Sequence, residues 1–469
     1  INDQAVTAPK LSATGGTDGQ ILALDSNLNL EWVSDPAGQW ITNGTTIYYD
    51  AGNVGINTGD DPTAKFQVDG ADILIHGVAI GRGLGSVATN TVVGNNALDA
   101  NTTGAANTAI GDEALTANTT GSHNTALGYL SLESNLTSSA NVAVGNFSLQ
   151  NTTTGNNSAL GYAALQANTS GTRNVAVGYA ALTANTTAVS NTAVGYGCLT
   201  ANTTGSSNTA VGRNALDANT TAGNNTAVGH AALGENTTGT SNTAVGSLAL
   251  DANTTGANST AVGYAALSNS TADNNTAVGY GSLVANTSGT QNVAVGALAL
   301  DANTTGGRTT AVGYRSLTSQ TTGSENVAVG SYALDALTTG TQNTAVGEAA
   351  LNANTTADNN SAFGHDALKA NTTGTNNTAV GSAALDANTA QSNSTAVGAN
   401  ALTLSTANNN TAVGSGAASG TTSGTKNTAI GTEALDQNTT GSFNTAVGYL
   451  ALERNTVASN NTAVGNSAL

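Results

Sequence analysis

Residues 209–242 contain two consecutive copies of one pattern, TAVGRNALDANTTAGNN and TAVGHAALGENTTGTSN. Aligning the chain on the glycine of the Ala-Val-Gly motif gives 23 copies, from Gly94 to Gly465, with nineteen intervals of 17 residues and three of 16. A shortened copy, Val78-Ala79-Ile80-Gly81, precedes them and marks the start of the array. A unit this short buries an apolar face only by stacking on its neighbours, so the repeat predicts a solenoid.

The columns of the repeat predict which side chains are buried. Counting from the glycine as position 0, position −1 is always apolar and position +4 is Leu in 22 of 23 copies, so both are expected to form interior ladders. Position −2 is Ala in 22 copies, and position +3 is Ala, Ser or Cys, which leaves room for little more than a methyl group. Asn stands at position −4 in 20 copies, as a turn with stacked side-chain amides requires. The varied residues at position +1 indicate a solvent face.

The Thr-Ala-Val alternation has a period of two, and turn-forming residues separate the short apolar runs. Each unit is therefore expected to form two short strands and two turns. The predicted fold is all-β: a parallel β-solenoid of about 23 coils over residues 79–469, preceded by a small β-rich segment. At about 4.8 Å per coil, 22 intervals give a shaft of roughly 105 Å.

The first 78 residues do not follow the repeat. We divide them into an N-terminal hairpin or attachment segment, residues 1–40, and a small β-rich domain, residues 41–78. Both are small for an independent core and are expected to acquire one by oligomerising. The predicted strands are Ile21–Leu24 and Leu30–Val33, which form a hairpin, and then Gln39–Ile41, Thr46–Tyr49, Asn53–Ile56 and Lys65–Val68.

Composition narrows the classes of partner. Only 8% of the 469 residues are charged, and the formal net charge of −18 predicts repulsion from nucleic acid and from anionic lipid. No run approaches the ~20 apolar residues of a membrane helix, so membrane insertion is not expected. Ile1 is not expected to be the natural start. The array stops within a unit at Leu469, so a partner or a removed domain is expected beyond it.

Residue types that carry chemistry are few and scattered. His76, His123, His230 and His365 lack a second ligand at metal spacing and are interpreted as solvated surface histidines. Cys198 replaces Ala or Ser at position +3 and is interpreted as a buried small residue. We therefore expect no catalytic residue, no cofactor, no metal site and no enzymatic activity.

Two further patterns are given structural interpretations. The stretch from Gly81 to Gly85 lacks the spacing and the following helix of a phosphate-binding loop. Aspartates after the core leucine, at position +5, are interpreted as solvated turn carboxylates without the glycine-rich pattern of calcium-binding β-rolls. They are Asp99, Asp217, Asp251, Asp301, Asp335, Asp386 and Asp436.

Eight of the eleven tyrosines occupy position +1. Aromatic faces on a rod can stack on sugars, which makes these residues candidates for surface contact. The column is interrupted by Asn, Arg, Ser and Glu, so plain β-propensity is the favoured interpretation. The candidates are Tyr129, Tyr162, Tyr179, Tyr196, Tyr264, Tyr280, Tyr314 and Tyr449.

Several stretches resemble a known family. Residues 52–56 (GNVGI), residues 61–70 (DPTAKFQVDG), residues 80–83 (IGRG) and the tandem NTAVG-AL-NTTG units resemble tail fibre and tail-fibre-like proteins of bacteriophages and of Bacteroidetes-type bacteria. The resemblance implies a homotrimer and, in many members, a C-terminal intramolecular chaperone domain. The repeat is also similar to the head of trimeric autotransporter adhesins, whose period is shorter.

The leading functional hypothesis is a structural fibre that projects a receptor-binding function from a virion or phage-derived particle. Its partners would be two further copies of the chain, parallel and in register, and a host receptor or glycan. An alternative is a bacterial extracellular adhesin or surface filament subunit. Ice binding is a further alternative, weakened because the Thr at position −3 alternates with presumed core positions and is Val in four copies.

Overall fold

The computed structural model describes residues 78–85 and 87–469 in full, together with the backbone of five strands between residues 20 and 75. The chain divides into two compact units, Ile1–Asp69 and Gly70–Leu469.

Two antiparallel strand pairs are described in the first unit. Strand β1 (Gln20–Leu24) pairs with β2 (Leu30–Ser34), which confirms the predicted hairpin. Strand β3 (Ile41–Asn43) pairs with β4 (Thr46–Tyr48). The strands predicted at residues 53–56 and 65–68, and most of the stretches that carry the family resemblance, lie outside the described residues.

The second unit opens with strands that differ from the rest. Strand β5 (Ile73–Ile75) pairs antiparallel with β6 (Val78–Gly81), and β6 pairs antiparallel with β7 (Thr91–Gly94). The sheet therefore begins at β5, before the shortened copy, and residues 78–81 form an antiparallel strand and not a coil of the solenoid, which begins at β7.

From β7 onward the sheet is a parallel ladder in which each strand pairs in register with the next, so that Ala210 lies opposite Ala227 and Ala227 opposite Ala244. This confirms the all-β parallel solenoid, of about 22 turns. The remaining strands are β8 (Thr108–Ile110), β9 (Thr125–Leu127), β10 (Val142–Val144), β11 (Ser158–Leu160), β12 (Val175–Val177), β13 (Thr192–Val194), β14 (Thr209–Val211), β15 (Thr226–Val228), β16 (Thr243–Val245), β17 (Thr260–Val262), β18 (Thr276–Val278), β19 (Val293–Val295), β20 (Thr310–Val312), β21 (Val327–Val329), β22 (Thr344–Val346), β23 (Ser361–Phe363), β24 (Thr378–Val380), β25 (Thr395–Val397), β26 (Thr411–Val413), β27 (Thr428–Ile430), β28 (Thr445–Val447) and β29 (Thr462–Val464).

Each described coil contains one strand, of four residues in β7 and three in the others, so the prediction of two strands per unit is wrong. The reason is the backbone at positions +2 and +4. Ala231 and Leu233 have φ of +52° and +51°, in the left-handed region, which an extended strand does not use. Two such residues in close succession turn the chain inward where a second strand was expected.

Hydrogen bonds to the neighbouring coils stabilise this turn. The N–H of Leu233 donates to the carbonyl of Ala249 in the next coil at 3.0 Å, and the N–H of Ala231 donates to Arg213 in the previous coil at 3.0 Å. A left-handed conformation costs about 1–2 kcal/mol for a residue with a Cβ. The same bonds recur in most coils, and they offset that cost.

The interior is narrow and contains mainly Leu and Ala. Leu216, Leu233 and Leu250 are completely buried, which confirms the position +4 ladder. Ala at position −2 and the small residues at position +3 are buried against them, as in Ala227 and Ala232. Position −1, in contrast, lies on the outside of the strand, so its prediction as a core ladder is wrong.

Two columns of buried asparagines complete the interior. At position −4 the side-chain oxygen of Asn208 accepts the N–H of Asn225 in the next coil at 3.0 Å, which confirms the predicted amide stacking. At position +7 the side-chain amides bond directly to one another. Asn236 donates to Asn219 at 2.9 Å, and Asn219 donates to Asn202 at 2.8 Å.

The three 16-residue coils follow from the same column. Where a coil is one residue short, position +7 is a hydroxyl residue: Thr152, Ser270 or Ser405. An Asn here normally closes the turn by donating to the carbonyl of position +10, as Asn219 does to Ala222 at 3.1 Å. The hydroxyl of Thr152 instead reaches position +9, at the carbonyl of Thr154, 3.3 Å away. In the other two short coils the hydroxyls of Ser270 and Ser405 accept the N–H of position +9. A hydroxyl thus accompanies each shorter turn, although Thr421 at the same position lies in a 17-residue coil.

The glycine at position 0 is required by both conformation and contact. Gly229 has a φ of +138°, and a Cβ added to it would lie 2.5 Å from the carbonyl oxygen of Gly246 in the next coil. No larger residue fits without separating the coils.

Replacing Leu233 with Asp should lower the stability of the surrounding coils by several kcal/mol, because it buries an unpaired carboxylate in the position +4 ladder. Hydrogen exchange of the amides in the coils of Gly229 and Gly246 measures the loss. His230→Asp, at an exposed position of the same coil, is the control and should leave exchange unchanged. Equal protection in both variants would contradict the burial of Leu233.

Replacing Asn219 with Ala should destabilise the same region by about 1–3 kcal/mol, because the side-chain amide of Asn236 loses one of its two acceptors inside the interior. The expected result is faster hydrogen exchange on both sides of residue 219. The matched control is Leu337→Asn, which places an amide at position +7 of a coil that has Leu there. It should not increase the rate of hydrogen exchange.

Candidate interaction surfaces

The outer surface of β7–β29 consists of the side chains at positions −3 and −1, and we call it the strand face. Every residue at position −1 is exposed or half-buried: Val228 is 36% exposed, Leu160 49% and Phe363 41%. The in-register ladder places these side chains one above another along the whole array. The strand face is therefore a continuous apolar strip.

Its composition is restricted and, at position −1, entirely apolar. Position −1 is Val in 18 coils and otherwise Ile, Leu or Phe, and position −3 is Thr in 17 coils and otherwise Val or Ser. None of these 46 residues is charged. Position +1 of the same coils holds Arg, His, Glu, Asp, Tyr and Asn, which confirms it as a solvent face.

The tyrosines at position +1 are all exposed, from 40% at Tyr129 to 59% at Tyr280. Several stack on one another along the solenoid. Tyr162 and Tyr179 have ring centroids 5.3 Å apart, Tyr179 and Tyr196 5.1 Å apart, and both pairs are within 9° of parallel. Tyr264 and Tyr280 form a further stacked pair.

This geometry limits what the tyrosines can bind. Both faces of the Tyr179 ring lie against neighbouring rings, so that residue presents its edge and its hydroxyl to the side of the rod. Sugar stacking uses the face of an aromatic ring. The stacked run therefore fits mutual stabilisation of neighbouring coils better than it fits a platform for sugars. A role of the eight tyrosines in surface contact stays a prediction.

The aspartates at position +5 are less solvated than predicted. Burial, followed by repulsion from Glu235, raises the pKa of Asp217 above its ordinary value, and burial likewise raises the pKa of Asp251. Asp301 and Asp386 have raised pKa values with burial as the first cause. These four residues are half-buried, so their carboxylates are only partly solvated.

The remaining candidates are placed as simple surface or core residues. His123, His230 and His365 are exposed, while His76 lies outside the described residues. Cys198 is buried, its thiol contacts the carbonyl of Gly212, and burial raises its pKa. Within the described part of the chain, no three His, Cys, Asp or Glu residues are grouped as a metal site requires.

The stretch from Gly81 to Gly85 leaves β6 through two glycines in left-handed conformation, Gly83 and Gly85. The next described element is strand β7, and a phosphate-binding loop would instead lead into a helix. Among the described residues, no helix is long and apolar enough to span a bilayer. Comparison with family models of known proteins finds no match, and a search of curated proteins finds none either.

Sequence reasoning missed the strand face and the buried asparagines at position +7. The strand face could have been found from the alternation of side chains in a strand. In a strand, neighbouring residues point to opposite sides, so a buried Ala at position −2 requires positions −3 and −1 to face outward. The asparagines gave the weaker signal of a polar residue kept in most copies of a segment that otherwise reads as a turn.

The raised pKa of Asp217 predicts a pH effect. The folded state holds the proton more tightly than the unfolded chain, so the free energy of unfolding falls as pH rises from about 3.8 through the folded-state pKa. Asp217→Asn should raise the melting temperature at pH 7 and flatten its dependence between about pH 4 and 7. Asp99→Asn, at the same position of an earlier coil but exposed, should change neither the melting temperature at pH 7 nor its dependence on pH. A larger gain at pH 4 than at pH 7 would contradict the burial of this carboxylate.

Proposed function

We propose that the solenoid is the shaft of a structural fibre of the tail-fibre type, which holds a recognition function away from a virion or phage-derived particle. The observation that carries the proposal is the uniformity of the stack. Strands β7–β29 pair in register without a break, and the same buried Leu, Ala and Asn columns recur along them. A rod stabilised by the same hydrogen bonds in every coil is stiff and resists proteolysis, as a spacer requires.

The proposal includes self-association as a parallel homotrimer and a host receptor or glycan as the external partner. The trimer is supported by the thin interior, with one large aliphatic side chain per coil, and by the family resemblance of the sequence. The location follows from the same resemblance: a virion tail fibre or an extracellular surface. A bacterial adhesin or surface filament built from the same shaft is the alternative.

A second candidate function, ice binding, gains one observation from the structure. Thr at position −3 and Val at position −1 both face outward from a regular parallel sheet, whereas the sequence suggested that Thr alternated with core residues. Thermal hysteresis of the purified protein tests this function. A hysteresis that is lost on placing Lys on the strand face would favour ice binding over the fibre.

A spacer should shorten in proportion to the coils removed. Deleting residues 213–296 joins Gly212 to Ala297 and removes five whole coils while keeping every column aligned. Electron microscopy should show a folded rod shorter by about 24 Å. Deleting residues 213–288, a similar length out of phase, is the control and should disrupt the stack at the junction. An in-phase deletion that leaves the length unchanged would contradict the shaft.

Antibody labelling of the native source separates the fibre from its alternative. The fibre predicts label on filaments attached to particles, and the adhesin predicts label on cell surfaces. Label confined to the cytoplasm would overturn both.

A further inference from the structure

We infer that the strand face is the surface through which copies of this chain join, lying parallel and in register. The inference rests on the proposed fibre and names the residues that hold its copies together.

The first argument is composition. A strand face open to water ordinarily mixes apolar residues with charged ones, and charged residues protect sheets from unwanted association. Here the exposed side chains of 23 successive strands include no charge, while position +1 of the same coils carries both signs. Apolar patches of this extent on soluble proteins mark interaction sites.

The second argument is area. Residues such as Val228 and Val245 keep 36% and 37% of their surface exposed. A third of a valine surface is roughly 50 Å², so 23 such residues offer on the order of 1,000 Å² per copy before the threonines are added, above the ~800 Å² per partner of a standard interface. Further copies with the same strip match it along its whole length, because all have the same length and spacing.

The third argument is a compensation in size. Position −1 is larger than Val in five coils, at Ile110, Leu127, Leu160, Phe363 and Ile430, and in three of them it is Leu or Phe. Two of these three contain the only serines at position −3, Ser158 and Ser361. Water imposes no such exchange, whereas a close-packed partner does, because the volume available to the two side chains is fixed.

The parallel register comes from the proposed fibre, whose copies run in the same direction. Ser361 and Phe363 lie in one strand, so their exchange of volume concerns the fit at a single height along the shaft. The direction of the partner is tested separately by cross-linking.

A triple variant tests the interface. Val228→Lys, Val245→Lys and Val262→Lys place three charges on the strand face of adjacent coils. The matched control, Asn224→Lys, Ser241→Lys and Asn258→Lys, adds the same charge at position −5 of the same coils, where Lys426 already occurs. Light scattering over a range of concentrations gives the mass, and circular dichroism checks the fold.

The wild type and the control should have a mass that is a multiple of 45.6 kDa. The strand-face variant should dissociate at a concentration at least tenfold higher, with an unchanged spectrum. A wild type that stays monomeric at all concentrations, or a variant that associates like the wild type, overturns the inference. If the lysine variant unfolds, Val→Thr at the same three positions keeps the strand and should still weaken association. The length change of the in-phase deletion tests the shaft separately, since a single solenoid would also shorten.

Cysteine cross-linking tests the register in a Cys198→Ala background. Val228→Cys should form a disulfide between identical copies. Val228 lies eight coils after the first strand of the array, and Val329 lies eight coils before the last. In a mixture of Val228→Cys and Val329→Cys chains, only identical residues should cross-link. A dominant 228–329 product would show an antiparallel arrangement and contradict the inference.

A double-mutant cycle tests the compensation. Ser361→Val alone should weaken association, and Ser361→Val combined with Phe363→Val, which recreates the common coil, should restore it. The coupling between the two substitutions should vanish when they are made in the lysine variant, which does not associate. Coupling that persists there would mean that the two side chains interact within one copy, which would remove the third argument.

Discussion

The structure depends on hydrogen bonds between consecutive coils that keep identical positions in register. They join the strands, and they also satisfy the N–H groups of left-handed residues such as Ala231 and Leu233, whose conformation is unfavourable in isolation. Once one coil is set, the next has the same donors and acceptors at the same places. A glycine at position 0 is then required in every coil, because the coils approach each other too closely for a Cβ.

The narrow coil explains the unusual interior. With one Leu per coil and methyl-sized neighbours, there is little apolar area to bury, and much of the remaining space is taken by asparagine. Each amide at position +7 from Asn185 to Asn236 both donates and accepts along the ladder. Among the described residues, the side-chain oxygen of Asn135, one coil before Thr152, has no partner, and neither has that of Asn371, where the period is unchanged. Buried polar groups thus stabilise one register along most of the array.

The exposed surface divides into parts with different constraints. Position +1 accepts tyrosines, histidines and charges, and its rings stack where they are adjacent. Position +5 accepts aspartates whose pKa values are raised by burial. The strand face contains no tyrosine, no histidine and no charged residue. The strand face is exposed in one copy, yet its positions contain only a few apolar and small residue types. A single chain does not explain this restriction, whereas contact with a second copy does.

The sequence by itself determined the solenoid and its period, because only stacking lets a 17-residue unit bury Leu at position +4 beside Ala at position −2. It also determined the solvent exposure of position +1 and, through the alternation of the first segment, the hairpin at residues 20–34. Only the tertiary structure decided that each coil has one strand, that position −1 faces outward, and that the asparagines at position +7 lie inside. The reason is that the interior of the coil is narrow. The left-handed residues turn the chain so that Leu233 and Ala227 are both buried, and the remaining interior space holds a methyl group but not the side chain of Val228. Hydrophobicity alone predicted the valine inside, and the dimensions of the coil placed it outside.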